Sequence, residues 1–173
     1  AVGQVEPIGC NIRDDASVAA ALSGADAVIN CVGILNEVGR NKFQDVQANG
    51  AARIARLANE NGVSNLVHIS AIGADANGSS AYAVTKAQGE AAIQQHFPNA
   101  VILRPSIVFG TEDQFFNRFA QMAAALPVLP ISSANSKFQP VYVDDVARAA
   151  VAGAMGQASA GVYELGGPDV ETF

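Results

Sequence analysis

Tyr82 and Lys86 stand four residues apart in the segment YAVTK. On a helix that spacing puts both side chains on one face. An ammonium near a phenol favours the phenolate, so Lys86 is expected to lower the Tyr82 pKa toward neutrality and prepare it for proton transfer. The chemistry implied is general acid/base work on a carbonyl or alcohol. The same pair also arises on a plain surface helix where Lys and Tyr stack, so context must decide. Here the pair follows an apolar run ending at Ser70 and a loop rich in Gly, Asn and Ser, residues 71–80.

Other chemistries find little support. Cys10 and Cys31 are the only cysteines, each inside an apolar run without a CxxC pair, and they read as buried thiols of a reducing compartment. His68 and His96 are the only histidines and neither has a partner at ligand spacing, so no metal site is expected. The net charge of −6 and the lack of any basic block argue against a nucleic-acid partner. No apolar stretch reaches the roughly 18 residues that span a bilayer. The first residues lack the basic start and apolar core of a secretory signal. A cytoplasmic protein is the expectation.

The elements that must position Tyr82 and Lys86 alternate along the chain. Its 173 residues, half hydrophobic and 15% charged, suit one domain with a sizeable core. Strand-like runs are predicted at 5–12, 27–32, 65–70, 100–104, 139–143 and 162–165. Helices are predicted near 16–22, 43–61, 80–96 and 114–125. A last helix, capped by Asp144 or Asp145, runs to about Met155. Gly62 is expected just past one helix end and Pro98 after another. A Pro/Ser-rich stretch at 126–136 reads as a loop or lid. Apolar strands each followed by a helix imply a parallel sheet covered on both faces, a doubly wound α/β fold. Ligands of such sheets bind outside the carboxyl ends of the strands.

The series INCVG (29–33), HISAIGAD (68–75), YAVTK (82–86), ILRPSIVFG (102–110) and FQPVYVDDVA (138–147) occurs in one order that resembles the extended and atypical short-chain dehydrogenases. Within that superfamily, FGTEDQFFNRFAQMA (109–123) followed by FQPVYV looks like the group of the nucleotide-binding accessory subunit of respiratory complex I and its bacterial relatives. The likeness covers nearly the whole chain. It implies a Rossmann-type domain that binds NAD or NADP, with Tyr82 as acid/base and Lys86 holding the ribose. It places Asn11 and Ile12 beside the adenine, and Cys31, Val32 and Gly33 at a strand end close to the cofactor. Ser70 would close the strand before the active-site loop, and Pro105, Ser106 and Ile107 would line the nicotinamide. Core and turn packing is the plainer account of Cys31, Val32 and Pro105 taken singly.

Two departures bear on catalysis. The family's substrate-binding Ser or Thr commonly follows a first Ser at this strand end, and that position here is Ala71. The glycine-rich turn that seats a pyrophosphate on a helix N-terminus is not among these residues, nor is the substrate region expected after Gly166-Gly167-Pro168. The chain therefore reads as one partial Rossmann-type domain, residues 1–173, incomplete at both ends. Three functions follow from the resemblance. The first is an NAD(P)-dependent oxidoreductase acting on a carbonyl, alcohol or quinone-related substrate. The second is a non-catalytic nucleotide-binding subunit or assembly factor of respiratory NADH dehydrogenase, with a respiratory-complex partner and a peripheral place on the inner membrane. The third is a nucleotide-sugar epimerase or dehydratase.

Overall fold

A computed structural model describes residues 4–113, 116, 117, 124 and 136–172. Four parallel strands form the main sheet: β1 (Ala27–Asn30), β2 (Asn65–Ile69), β3 (Val101–Pro105) and, after two shorter strands, β6 (Gly161–Leu165). They lie in the order β1-β2-β3-β6. Helix α1 (Asp15–Leu22) precedes β1, α2 (Asn49–Glu60) joins β1 to β2, and α3 (Ala81–His96) joins β2 to β3. Helix α4 (Val143–Ala154) leads into β6.

The pleat sends alternate strand residues to opposite faces, and the core divides accordingly. Leu66 and Ile102 join Val18, Ile54, Ala55 and Ile93 beneath α1, α2 and α3. Val67, Val101 and Leu103 pack with Ala150 beneath α4. Helices on both faces make the sheet doubly wound, as the apolar strand runs predict.

Local chemistry sets the helix ends. The Asp14 carboxylate accepts from the Ala16 N–H to start α1, and the Ser80 hydroxyl accepts from the Ala83 N–H to start α3. Gly62, at φ +71°, follows α2 in the left-handed conformation expected of it. Helix α4 starts at least two residues earlier than a cap at Asp144 or Asp145 predicts. Tyr142 is its N-cap, and Asp144 and Asp145 sit in the first turn, where carboxylates complement the helix dipole.

Several sequence expectations are corrected. Residues 5–12 form no strand, because no described strand lies alongside to fill a ladder, and Val5 and Ile8 stay exposed. Cys10 and Cys31 are exposed free thiols, not buried ones. Strand β1 stops at Asn30, so Cys31 falls in the loop beyond the sheet. The single helix expected at 43–61 opens with a π-helical turn at Gln44–Ala48. The run at 139–143 contracts to β5 (Val141–Tyr142), which pairs in parallel with β4 (Val108–Phe109) from the expected loop after β3. The helix near 114–125 and the stretch at 126–136 lie largely outside the described residues.

Candidate functional site

Helix α3 carries Tyr82, Lys86 and Glu90, each four residues from the next, so they form one line along the helix. Lys86 is 5% exposed and Glu90 4% exposed, which for charged side chains requires partners. Glu90 has them. Its carboxylate accepts from Arg104 of β3 through Nε at 3.0 Å and Nη2 at 2.7 Å, and from the Ser70 hydroxyl. The Lys86 ammonium donates to the Ile69 carbonyl at 3.2 Å. Burial lowers the Lys86 pKa, and the Glu90 charge partly offsets that.

Tyr82 behaves differently from the sequence expectation. The Lys86 Nζ lies 6.0 Å from the Tyr82 ring centroid, and burial raises the phenol pKa above its ordinary value. Loss of water around the ring disfavours the phenolate more than a distant, carbonyl-bound ammonium favours it. Tyr82 therefore carries its proton at neutral pH. Phe43, just before the π-helical turn, packs edge-on against its ring, with centroids 5.9 Å apart.

A second polar pair underlies the loop after β1. The Asn30 Oδ1 accepts from the Val32 N–H at 3.0 Å, leaving its amide nitrogen to donate to His68 Nδ1 at 2.9 Å. His68 Nε2 must then hold the ring proton, and that atom is buried without a partner. Burial, then the Lys86 charge, push the His68 pKa down to about 3, so the ring is neutral. The pair fixes the backbone that carries Cys31, Val32 and Gly33. A Cβ on Gly33 would lie 3.5 Å from the Lys86 Nζ, so this loop and α3 meet at the lysine.

Beyond the carboxyl ends of β2 and β3 opens a cavity of about 690 Å³. Tyr82, Ala71, Pro105, Ser106 and Ile107 all line it. Ala71 faces the space where the family's hydroxyl is expected, and the neighbouring Ser70 hydroxyl is turned to Glu90. Ser80 is occupied as the cap of α3. Ser106 is the hydroxyl other than Tyr82 on the described wall.

The remaining sequence-predicted residues lie elsewhere. Cys31 and Val32 are exposed just past β1. Ile12 packs against the α1–α3 core, and Asn11 is exposed with its side-chain oxygen accepting from the Arg13 N–H. Neither Asn11 nor Ile12 lines the cavity. Sequence reasoning passed over Glu90, although the four-residue spacing from Lys86 marks it. It also passed over the Asn30–His68 pair, for which nothing in the linear sequence gives a signal.

A doubly wound parallel sheet with a tyrosine-lined cavity beyond its carboxyl edge is a Rossmann-type fold. The sequence agrees: residues 2–166 match the model of the NAD dependent epimerase/dehydratase family, and the chain belongs to that family. It is 37% identical over 175 residues to the "NADH dehydrogenase [ubiquinone] 1 alpha subcomplex subunit 9, mitochondrial" of Arabidopsis thaliana, covering 99% of this chain and 44% of that protein. It is 32% identical over 129 residues to the "Ceramide reductase" of Caulobacter vibrioides, covering 75% of this chain and 40% of that one. The chain thus spans less than half the length of these relatives. Among solved structures, a dTDP-4-dehydrorhamnose reductase from Clostridium acetobutylicum superposes with a TM-score of 0.80 at 19% identity, over 93% of this chain and 63% of the other. That likeness concerns the fold. No helix among the described residues is long and apolar enough to cross a membrane.

Proposed function

We propose that the protein binds a nicotinamide dinucleotide, NAD or NADP, at the carboxyl edge of the sheet and reduces or oxidises a carbonyl/alcohol substrate there. The observation that carries this reading is the convergence of Tyr82, Ala71 and Pro105–Ile107 on one cavity, with Lys86 behind them against Gly33. The residues present fit such a cofactor. Gly33 leaves an exposed backbone at the end of β1, Lys86 brings a cation, and the Asn11 amide nitrogen is a donor for the adenine.

A bound reduced dinucleotide would supply the hydride for a carbonyl carbon, and in that direction Tyr82 would give its proton to the carbonyl oxygen, so that a CH–OH group results. The phenolate left on Tyr82 regains its proton from solvent. Because burial raises the Tyr82 pKa, the proton is in place at neutral pH for reduction. Alcohol oxidation needs the phenolate and should accelerate as pH rises past the ordinary tyrosine range. Calorimetric titration of the full-length protein with the four nicotinamide dinucleotides tests the reading, and failure of all four to bind at millimolar concentration overturns it.

One observation favours a second reading. The cavity wall carries Ala71 where a hydroxyl would orient the substrate, and Ser70 is held by Glu90. On that reading the protein is a nucleotide-binding subunit without turnover, docked peripherally on a respiratory complex. The relatives named as NADH dehydrogenase subunits support it. Bound nucleotide that is never reduced or oxidised, together with co-purification with such a complex, would decide for this second role.

A further inference from the structure

We propose that the cavity beside Tyr82 takes a long apolar ketone, or the matching alcohol, in preference to a nucleotide sugar. This rests on the reading of Tyr82 as proton donor and names the class of molecule that it serves.

The wall is built mainly of Leu35, Ile72, Ile107, Val108, Phe109 and Val143. Leu35 is 77% exposed and Ile72 50%, so large apolar side chains stand in water at the cavity. An apolar ligand removes that surface from water, and a sugar ring does not. Hydrogen-bonding capacity points the same way. Tyr82 and Ser106 are the side-chain donors of the described wall. The backbone N–H groups of Ile72 and Ser106 are already given to the Pro105 and Leu165 carbonyls, at 3.0 and 2.8 Å. Two hydroxyls suffice for one carbonyl oxygen. As donors they are too few to serve the diphosphate oxygens of a nucleotide sugar as well.

Charge separates the candidates further. The described wall holds no Lys or Arg, and it does hold Glu112 and Asp113. A diphosphate is recognised by paired cations and N–H donors. There is also room for a chain. A second cavity of about 380 Å³ shares Phe109 and Asp113 with the first and is lined as well by Phe116, Pro140, Pro168, Asp169 and Glu171. A tail that passes the Phe109 ring meets the Phe116, Pro140 and Pro168 side of that space.

The test is a binding series on full-length protein, with and without saturating dinucleotide. Methyl ketones from 2-butanone to 2-dodecanone are titrated calorimetrically, alongside UDP-glucose. Affinity is expected to rise about two- to fourfold per added methylene until the space is filled, with no saturation by UDP-glucose at millimolar levels. Ile72→Asp, at a half-exposed position, should weaken the longest ketone about tenfold while the dinucleotide affinity changes less than twofold. A series flat in chain length, or UDP-glucose binding more tightly than the longest ketone, overturns the proposal. If the length dependence holds in protein that binds no dinucleotide, the apolar site stands and only the dinucleotide reading falls.

Discussion

Two regions at the carboxyl end of the sheet break the usual partition of polar and apolar groups, in opposite senses. Beneath the edge, Lys86, Glu90, His68, Ser70 and Asn30 are each no more than 5% exposed. Above it, Leu35, Ile72, Phe109 and Val143 are exposed around the cavity. The lower region tolerates its inversion by hydrogen bonding: Glu90 with Arg104 and Ser70, Asn30 with His68 and Val32, and Lys86 with Ile69. The upper region is left uncovered by the described residues. Departures from local stability rules that lie together at a strand edge are expected at functional sites. The lower set is hydrogen-bonded within itself apart from His68 Nε2, and the upper set is open among the described residues.

The largest expected effect lies where the two regions meet. Ala71→Ser in the full-length protein restores a hydroxyl to the cavity wall beside Tyr82. Turnover of ketones or quinones should rise by up to about 10²–10³-fold, the scale of one positioned donor to a developing oxyanion. Adding Tyr82→Phe should abolish the gain, because the transferable proton is lost. If wild type and Ala71→Ser are equally inert across a carbonyl and alcohol panel, the subunit reading replaces the enzymatic one.

Breaking the lower region should register as stability. Glu90→Ala leaves Lys86 buried without its nearby anion and Arg104 without its bidentate partner. It is expected to cost about 3 kcal/mol, at the low end for a buried pair because the Arg104 side chain is 24% exposed. Urea unfolding of the variant measures this, and a change below about 0.5 kcal/mol would show that the pair does not stabilise the lower region.

Next in size is the seam that holds α3 in place. A Cβ at Gly89 would lie 2.3 Å from the Gln47 carbonyl oxygen in the π-helical turn. Gly89→Ala should therefore force α3 and the turn apart, costing about 1–3 kcal/mol and blunting both regions together. Wild-type stability in that variant would mean the turn can yield.

An effect that is nil at neutral pH and grows as pH falls concerns His68. The unfolded chain binds a proton at this ring near its ordinary pKa of 6.5, while the folded chain resists until about 3. The unfolded state thus holds more protons between those values, so stability is complete above about 6.5 and declines as pH falls toward 3. Urea midpoints at pH 7.5, 6, 5 and 4 should fall in wild type and fall less steeply in His68→Asn. Parallel curves for the two proteins would mean that His68 does not set the acid limit.

The sequence by itself determined the alternation of apolar runs and helices, hence the doubly wound parallel sheet, because periodicity and end signals act locally. Ser80, Gly62 and the four-residue spacing of Tyr82 and Lys86 are legible for that reason. Residues 105–107 line the cavity, but it was the family resemblance, not a local pattern, that pointed to them. Only the tertiary structure decided what depends on neighbours. Residues 5–12 have strand composition, yet a strand exists only against another strand. The short β4–β5 pair joins segments more than thirty residues apart, which no local pattern marks. Nor could spacing give the sense of the Tyr82 shift. Four residues place Lys86 on the same face, but the phenol pKa depends on the water removed by its surroundings and on where the ammonium is drawn. Here the Ile69 carbonyl holds the ammonium and burial dominates, so the phenol pKa moves up where the spacing alone predicts it to move down.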